Sequence, residues 1–242
     1  MKIIESARLM LLLGLLISLL GQAAPATADK GTGADNTPAR TKPLLAEIVV
    51  SNDGILLDFA GPAEVFREAY GVDFTVYYIA ETLKPVRLKG GMTITPDFTF
   101  QSAPAPDYVV IGTQGTMPSA AAVHWMQGLH HNDKSILSVC TGSDWLGRAG
   151  LLDHKEATTH HNQFQEFQQS FPGVKLVQGK RYVQSDPYLF TAGGFTAGMD
   201  LALHILDLRF GRNVAQQTAA RLEYQGQAWI SNDNAWATGA GK

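Results

Sequence analysis

Residues 135–142 read SILSVCTG, and this stretch decides the fold. The uncharged run from Ser135 to Val139 is typical of a strand that is buried on both faces of a parallel sheet. Cys140 follows directly, and the small residues Thr141 and Gly142 lead into a helical period. A strand, a strained residue and a helix in this order make a nucleophile elbow. We therefore predict that the sulfur of Cys140 projects over the edge of a sheet.

The elbow also predicts a chemical role for Cys140. The amide hydrogens and the positive dipole end of the following helix favour a thiolate. Small neighbouring residues let a substrate and the backbone approach the sulfur. The alternative is a buried core cysteine, because unreactive cysteines are common in protein interiors.

Short apolar runs alternate with helical periods on both sides of the elbow. Strands are predicted at 47–50, 73–79, 107–111, 135–139, 181–183 and 188–191, with a hairpin or short strands at 92–100. Helices are predicted at 62–70, 120–129, 145–151, 164–171, 197–210 and 214–224. This alternation predicts an α/β fold in which helices cover both faces of a mostly parallel sheet. Ligands bind beyond the carboxyl ends of the strands in such sheets.

Composition excludes several classes of protein. The chain has 242 residues, a formal net charge of −3 and one cysteine. It has no broad basic field, which argues against nucleic-acid binding through phosphate contacts. One cysteine cannot make an intrachain disulfide or a cysteine-based metal site. The histidine pairs 130–131 and 160–161 lack the HExxH spacing, so we expect no metal and no cofactor.

The N-terminal residues are predicted to be a secretory signal peptide, residues 1–28. Lys2 and Arg8 precede an apolar run that is too short to span a bilayer. Residues 26–28 fit the small-x-small rule for signal-peptide cleavage. The protein is then periplasmic or secreted and leaves the membrane after processing; the alternative is an uncleaved anchor. We predict a flexible linker at 29–43, a globular domain at 44–229 and a flexible tail at 230–242.

Several motifs follow one another along the predicted domain. They are LDFAGPAEVF at 57–66, VCTGSDWLGRAGLL at 139–152, ATTH at 157–160, TAGGFTAGMDLAL at 191–203 and LEY at 222–224. In this order they resemble the ThiJ/PfpI superfamily, which has the class I glutamine-amidotransferase-like fold. The resemblance implies a flavodoxin-like three-layer sandwich and a homodimer.

Details of the motifs resemble the isonitrile hydratase-like branch. That branch uses a cysteine, the threonine after it and the aspartate of the LDxxGP motif, here Cys140, Thr141 and Asp58. The resemblance implies a cysteine-dependent hydratase or hydrolase of a small molecule, which would convert an isonitrile to an N-substituted formamide. The peptidase branch has histidine where Thr141 stands, and the glyoxalase and deglycase branch has glutamate where Asp58 stands. The AraC-type regulators add a helix-turn-helix module, for which the stretch after Tyr224 is too short.

Asp58 and Cys140 are expected to share one proton, because two adjacent charges would repel each other. Asp58 is therefore protonated when Cys140 is a thiolate, and it delivers that proton after the sulfur attacks. Thr141 would orient the adduct. The alternative for Asp58 is a turn or capping residue before a helix that starts at Gly61-Pro62.

Two loops and one histidine complete the predicted site. Gly112 and Thr113 stand where the family has a PGG loop, whose amides form an oxyanion site. Gly193 and Gly194 predict a tight strand-to-helix turn near the pocket, and together with Gly112 and Thr113 they are predicted to form the oxyanion and substrate loops. His160 is a possible auxiliary residue, and an ordinary loop histidine is the alternative.

Two other functions fit the same sequence. The chain could be a non-catalytic module that binds a small ligand or senses oxidative stress through Cys140. A glyoxalase or deglycase-like enzyme is the other alternative. A covalent adduct together with turnover distinguishes an enzyme from a sensor.

Overall fold

The structure is a computed structural model that describes residues 42–232. The predicted signal peptide, residues 29–41 of the predicted linker and residues 233–242 of the predicted tail lie outside the described residues. Within 42–232, no helix is long and apolar enough to cross a membrane.

A seven-stranded sheet forms the middle layer. The strands of the protein are β1 Leu44–Val49, β2 Phe74–Ala80, β3 Val86–Arg87, β4 Thr93–Ile94, β5 Phe98–Thr99, β6 Tyr108–Ile111, β7 Ser135–Val139, β8 Glu156–Ala157, β9 Lys175–Leu176, β10 Tyr182–Asp186 and β11 Leu189–Ala192. The strand order of the sheet is β10-β11-β7-β6-β1-β2-β5. All of its pairings are parallel except the one between β10 and β11. Two further pairs, β3 with β4 and β8 with β9, lie outside this sheet.

Helices cover both faces of the sheet, so the predicted three-layer α/β fold is confirmed. The helices are α1 Leu56–Arg67, α2 Ala120–His131, α3 Gly142–Arg148, α4 Phe164–Ser170, α5 Ala197–Phe210, α6 Arg212–Arg221 and α7 Ala228–Ser231, with a 3-10 turn at His161–Gln163. Buried residues of α1, α5 and α6 form one core with the sheet, and those of α2, α3 and α4 form the other. Along β1, Ala46 and Ile48 face the first core and Val49 faces the second.

Helix α1 begins six residues before the predicted start. Pro62 lies inside it, although proline is usually a signal for the first helical position. Tertiary packing overrides that signal, because Gly198 of α5 admits the proline ring: a Cβ atom at Gly198 would lie 3.0 Å from Cγ of Pro62. Asp58 therefore stands in the first turn of α1 and not in a turn that precedes the helix.

The folded domain also extends past the predicted boundary at 229. Helix α7 continues to Ser231, and the side chain of Asn232 bonds both backbone groups of Tyr182. The side-chain oxygen Oδ1 of Asn232 accepts from the N–H of Tyr182 at 3.0 Å, and the side-chain nitrogen Nδ2 donates to the carbonyl oxygen of Tyr182 at 2.9 Å. The sequence placed the end of the domain at residue 229 because a polar stretch follows Trp229, and polar residues such as Asn232 also occur where a chain is held by hydrogen bonds.

Helix α3 starts at Gly142, directly against the end of β6. A Cβ atom there would collide with the carbonyl oxygen of Ile111 and lie 2.8 Å from that of Gly112. We expect Gly142→Ala to lower the free energy of unfolding by about 3 kcal/mol, because backbone cannot yield as a side chain does. Gly128→Ala in α2 is the control, since nothing lies within 4 Å of its new Cβ, and it should stabilise slightly. Urea denaturation of both variants measures this, and equal stabilities would contradict it.

Candidate active site

Cys140 lies between β7 and α3 with a left-handed backbone, φ 58°. Its N–H donates to the carbonyl oxygens of Ala192 at 3.1 Å and Gly193 at 2.9 Å. Its own carbonyl oxygen accepts from Oγ1 of Thr159 at 3.1 Å and from Oγ of Ser143 at 3.2 Å. Bonds on both sides thus hold a conformation that is unfavourable for a residue with a side chain. The predicted nucleophile elbow has this geometry.

Asp58 reaches the sulfur from the first turn of α1. Its side chain is fully buried, and its carboxyl group lies close enough to Cys140 to raise the pKa of the thiol. Oδ2 accepts from the N–H of Thr113 at 3.1 Å, and Oδ1 accepts from the N–H of Phe195 at 3.0 Å. Gly112 makes this approach possible, because a Cβ atom there would lie 2.8 Å from Cβ of Asp58. The structure therefore brings Asp58 and Cys140 together, as predicted.

Two threonines lie on the other side of the sulfur. The hydroxyl of Thr141 donates to Oγ1 of Thr113 at 3.0 Å. The Thr113 hydroxyl and the Thr141 N–H both lie close enough to the sulfur of Cys140 to lower the pKa of its thiol. The side chain of Thr141 therefore reaches the sulfur through Thr113.

The surroundings of Cys140 favour the protonated form of its thiol. Burial, and secondarily the negative charge of Asp58, raise the pKa of the Cys140 thiol to about 12. The Thr113 hydroxyl and the Thr141 N–H lower this pKa, but their effect is smaller. Burial and the adjacent carboxyl group therefore oppose formation of the thiolate and act against the helix amides, which were expected to favour it.

Two of the predicted oxyanion donors are already bonded. The N–H of Thr113 donates to Asp58, and the N–H of Gly193 donates to the carbonyl oxygen of Arg181 at 2.8 Å. Gly194 serves the site differently, because a Cβ atom there would collide with the ring of His160. The predicted oxyanion site therefore lacks these two donors in this arrangement.

His160 forms part of the wall of the site. Its ring meets Phe195 edge-on at a centroid distance of 5.9 Å, and Nδ1 accepts from the N–H of Asn162 at 3.3 Å. That bond leaves the proton of the neutral ring on Nε2. Burial first, and then His161, lower the pKa of His160, while Asp58 raises it. A neutral ring whose Nδ1 lone pair is engaged suits a wall residue better than a base for Cys140.

Sequence reasoning missed two contributions to the site. Phe195 has φ 56°, is 41% exposed and holds Asp58 through its N–H. Left-handed backbone at phenylalanine has no sequence signature, since glycine is the residue expected there. Thr113 contributes its hydroxyl as well as its amide. The signal for it was a side chain at a position where the family has glycine.

A metal centre has no support in the described part of the chain. Between residues 42 and 232, no three His, Cys, Asp or Glu side chains are grouped so that they could hold an ion. His130 instead pairs with Asp186 at 2.8 Å, and Lys155 donates to the same carboxylate oxygen at 2.6 Å.

Comparison of the sequence with known proteins identifies relatives of two kinds. The model of the DJ-1/PfpI family matches residues 46–208. An isonitrile hydratase from Pseudomonas putida is 33% identical over 172 residues, which cover 69% of this chain and 73% of that protein. The HTH-type transcriptional regulator GbdR from Pseudomonas aeruginosa is 29% identical over 195 residues, which cover 78% of this chain and 53% of the regulator. An enzyme and a regulator thus share this domain.

Solved structures agree with the fold. A THiJ/PfpI family protein from Pseudomonas syringae superposes with a TM-score of 0.66 at 24% identity, covering 82% of this chain and 84% of its own. DJ-1beta from Drosophila melanogaster gives a TM-score of 0.65 at 19% identity, and the match covers 76% of this chain and 100% of that chain. Identities this low establish the architecture alone.

Proposed function

The chain belongs to the DJ-1/PfpI family, and we propose that it is a cysteine-dependent enzyme that hydrates an isonitrile to an N-substituted formamide. The observation that carries the proposal is the buried carboxyl group of Asp58 beside the sulfur of Cys140. A thiol beside a general base is an activated nucleophile. The similarity to an isonitrile hydratase supports the choice of substrate.

The pair can carry out both halves of the reaction with one proton. As the sulfur attacks the isonitrile carbon, the S–H bond breaks, the proton passes to Asp58 and an S–C bond forms. Asp58 then returns the proton to the same carbon, which leaves a neutral thioimidate, Cys140–S–CH=N–R. Water adds to this carbon, the C–S bond breaks and the sulfur regains a proton. The sum is R–NC plus water giving R–NH–CHO.

The engaged amides favour this chemistry over hydrolysis of an amide or ester. Acyl transfer places a negative charge on a carbonyl oxygen, and enzymes meet that charge with N–H donors. Here the N–H groups of Thr113 and Phe195 both point at Asp58. An isonitrile carbon carries no oxygen during attack, so its reaction does not need those donors.

The thiol also argues against oxidative sensing as the main function. Peroxides oxidise the thiolate, and sensor cysteines are accessible and have a low pKa. Cys140 is 7% exposed and its pKa is raised to about 12. This environment is better suited to a thiol that is deprotonated only when a substrate is attacked.

Incubation of the purified protein with n-butyl isocyanide tests the proposal. We expect N-butylformamide, followed by NMR, and a thioimidate adduct on the protein in mass spectra of quenched samples. Cys140→Ala should form neither, because the nucleophile is absent, while its melting temperature stays close to that of the wild type. Product formation at the wild-type rate by this variant, or no product from the wild type, would refute the proposed function.

A further inference from the structure

Thr113 contacts every residue of the proposed catalytic set. Its N–H donates to Oδ2 of Asp58 at 3.1 Å, and its Oγ1 accepts from the hydroxyl of Thr141 at 3.0 Å. Its hydroxyl is also close enough to the sulfur of Cys140 to lower the pKa of the thiol. One residue at the end of β6 thus connects the base, the nucleophile and the second threonine.

The direction of these bonds decides what Thr113 can do. A hydroxyl has one hydrogen to donate and two lone pairs that accept. Because Thr141 donates to Oγ1 of Thr113, the hydrogen of Thr113 remains available for the sulfur of Cys140. The N–H of Thr113 meanwhile keeps the carboxyl group of Asp58 in place. The same residue therefore orients the base and offers a donor to the atom that becomes negative.

We propose that Thr113 is a further catalytic residue, whose hydroxyl stabilises the negative sulfur of Cys140 while the thiol proton moves to Asp58. In this step the S–H bond breaks and an O–H bond forms on Asp58; the O–H bond of Thr113 stays intact and its hydrogen bond to sulfur strengthens. Hydrogen bonds to a charged partner are about twice as strong as neutral ones. The stabilisation is thus largest when the charge is present.

This assignment changes the role of the Thr141 side chain. Its hydroxyl orients Thr113, so it is a positioning group, whereas its N–H contacts the sulfur directly. Loss of the Thr141 hydroxyl should therefore affect the sulfur less than loss of the Thr113 hydroxyl. The inference deepens the proposed function, but the acidity of Cys140 can be measured without turnover.

Alkylation by iodoacetamide measures that acidity directly, because Cys140 is the single cysteine of the chain. The test compares wild type, Thr113→Val and Thr113→Ser between pH 7 and 10. Valine keeps the shape of threonine and lacks the hydroxyl, so alkylation at pH 9 should slow by roughly three- to fivefold, as for a thiol made about one pKa unit weaker. Serine keeps the hydroxyl and should recover most of the rate. Thr93→Val, at an exposed position on β4, is the matched control and should alkylate as the wild type does.

Two results would overturn the assignment. One is an alkylation profile of Thr113→Val that matches the wild-type profile, and the other is a profile of Thr113→Ser that matches that of Thr113→Val. A melting curve of each variant shows whether it is folded. If Thr113→Val is unfolded, the alkylation profiles of Thr113→Ser and Thr141→Val decide instead. Thr141→Val must then slow alkylation, by less than threefold, for the assignment to stand. If the wild type hydrates no isonitrile and the hydroxyl-dependent profile is still seen, the proposed substrate fails and the role of Thr113 at the sulfur stands.

Discussion

Asp58→Asn is expected to make Cys140 more reactive toward iodoacetamide and, at the same time, to lower isonitrile turnover by about a thousandfold. The carboxylate raises the pKa of the thiol through its charge and its hydrogen bond, so the neutral amide makes the thiolate easier to form. Asparagine cannot, however, accept the thiol proton and return it to the substrate carbon. Stronger alkylation with lost turnover therefore distinguishes a base from a residue that only supports the fold.

The measurement needs a carboxyl control on the same helix. Glu64 lies on the exposed side of α1 and pairs with Arg67, so Glu64→Gln should change neither rate. Asparagine also leaves one of the two N–H donors to Asp58 without an acceptor, which costs about 1–3 kcal/mol. Melting curves must confirm that the variant is folded. Slower alkylation, or turnover within tenfold of the wild type, would show that the assigned role of Asp58 is wrong.

Glu47 is expected to give the protein a stability that decreases as the pH rises from about 5 to 8. It lies fully buried on β1, and among the described residues neither carboxyl oxygen has a hydrogen-bond partner. Burial raises the pKa of Glu47 to about 8. Over this range the folded protein keeps a proton that the unfolded chain releases. The free energy of unfolding therefore falls by about 1.4 kcal/mol for each pH unit. The contribution is fully present below the unfolded pKa and is lost as the pH rises through the folded one.

Glu47→Gln removes this dependence because an amide does not titrate. Urea denaturation of both proteins at several pH values should give a stability difference that changes by roughly 4 kcal/mol between pH 5 and pH 8. Burial also raises the pKa of Asp144 to about 6, but this group is present in both proteins and cancels. Glu156→Gln, exposed on β8, should keep the wild-type slope. Parallel plots of the free energy of unfolding against pH for Glu47→Gln and the wild type would contradict the prediction.

The layered fold could be predicted from sequence because its signals are local. The apolar runs at 107–111 and 135–139 became β6 and β7, and Gly211 ended α5 where expected. The start of α1 could not be predicted, since the packing of Pro62 against Gly198 involves residues far apart in the chain. The position of Asp58 beside Cys140 followed from the family resemblance and not from any periodicity.

The protonation of the site depends on tertiary structure that no local pattern encodes. The helix after Cys140 predicted a thiolate, but the burial of the sulfur and its position beside Asp58 are set by several elements together. The same holds for Thr113, whose hydroxyl matters because β6 ends beside β7. Its sequence position indicated a loop, and only the fold shows which atoms that loop contacts.

The left-handed backbone at Cys140 implies a trade-off between durability and chemistry. Such a conformation costs a residue with a side chain roughly 1–2 kcal/mol, and glycine would adopt it without that cost. Selection for heat tolerance alone would therefore favour glycine at this turn and discard the sulfur. The protein accepts a local weakness at the position of the proposed nucleophile.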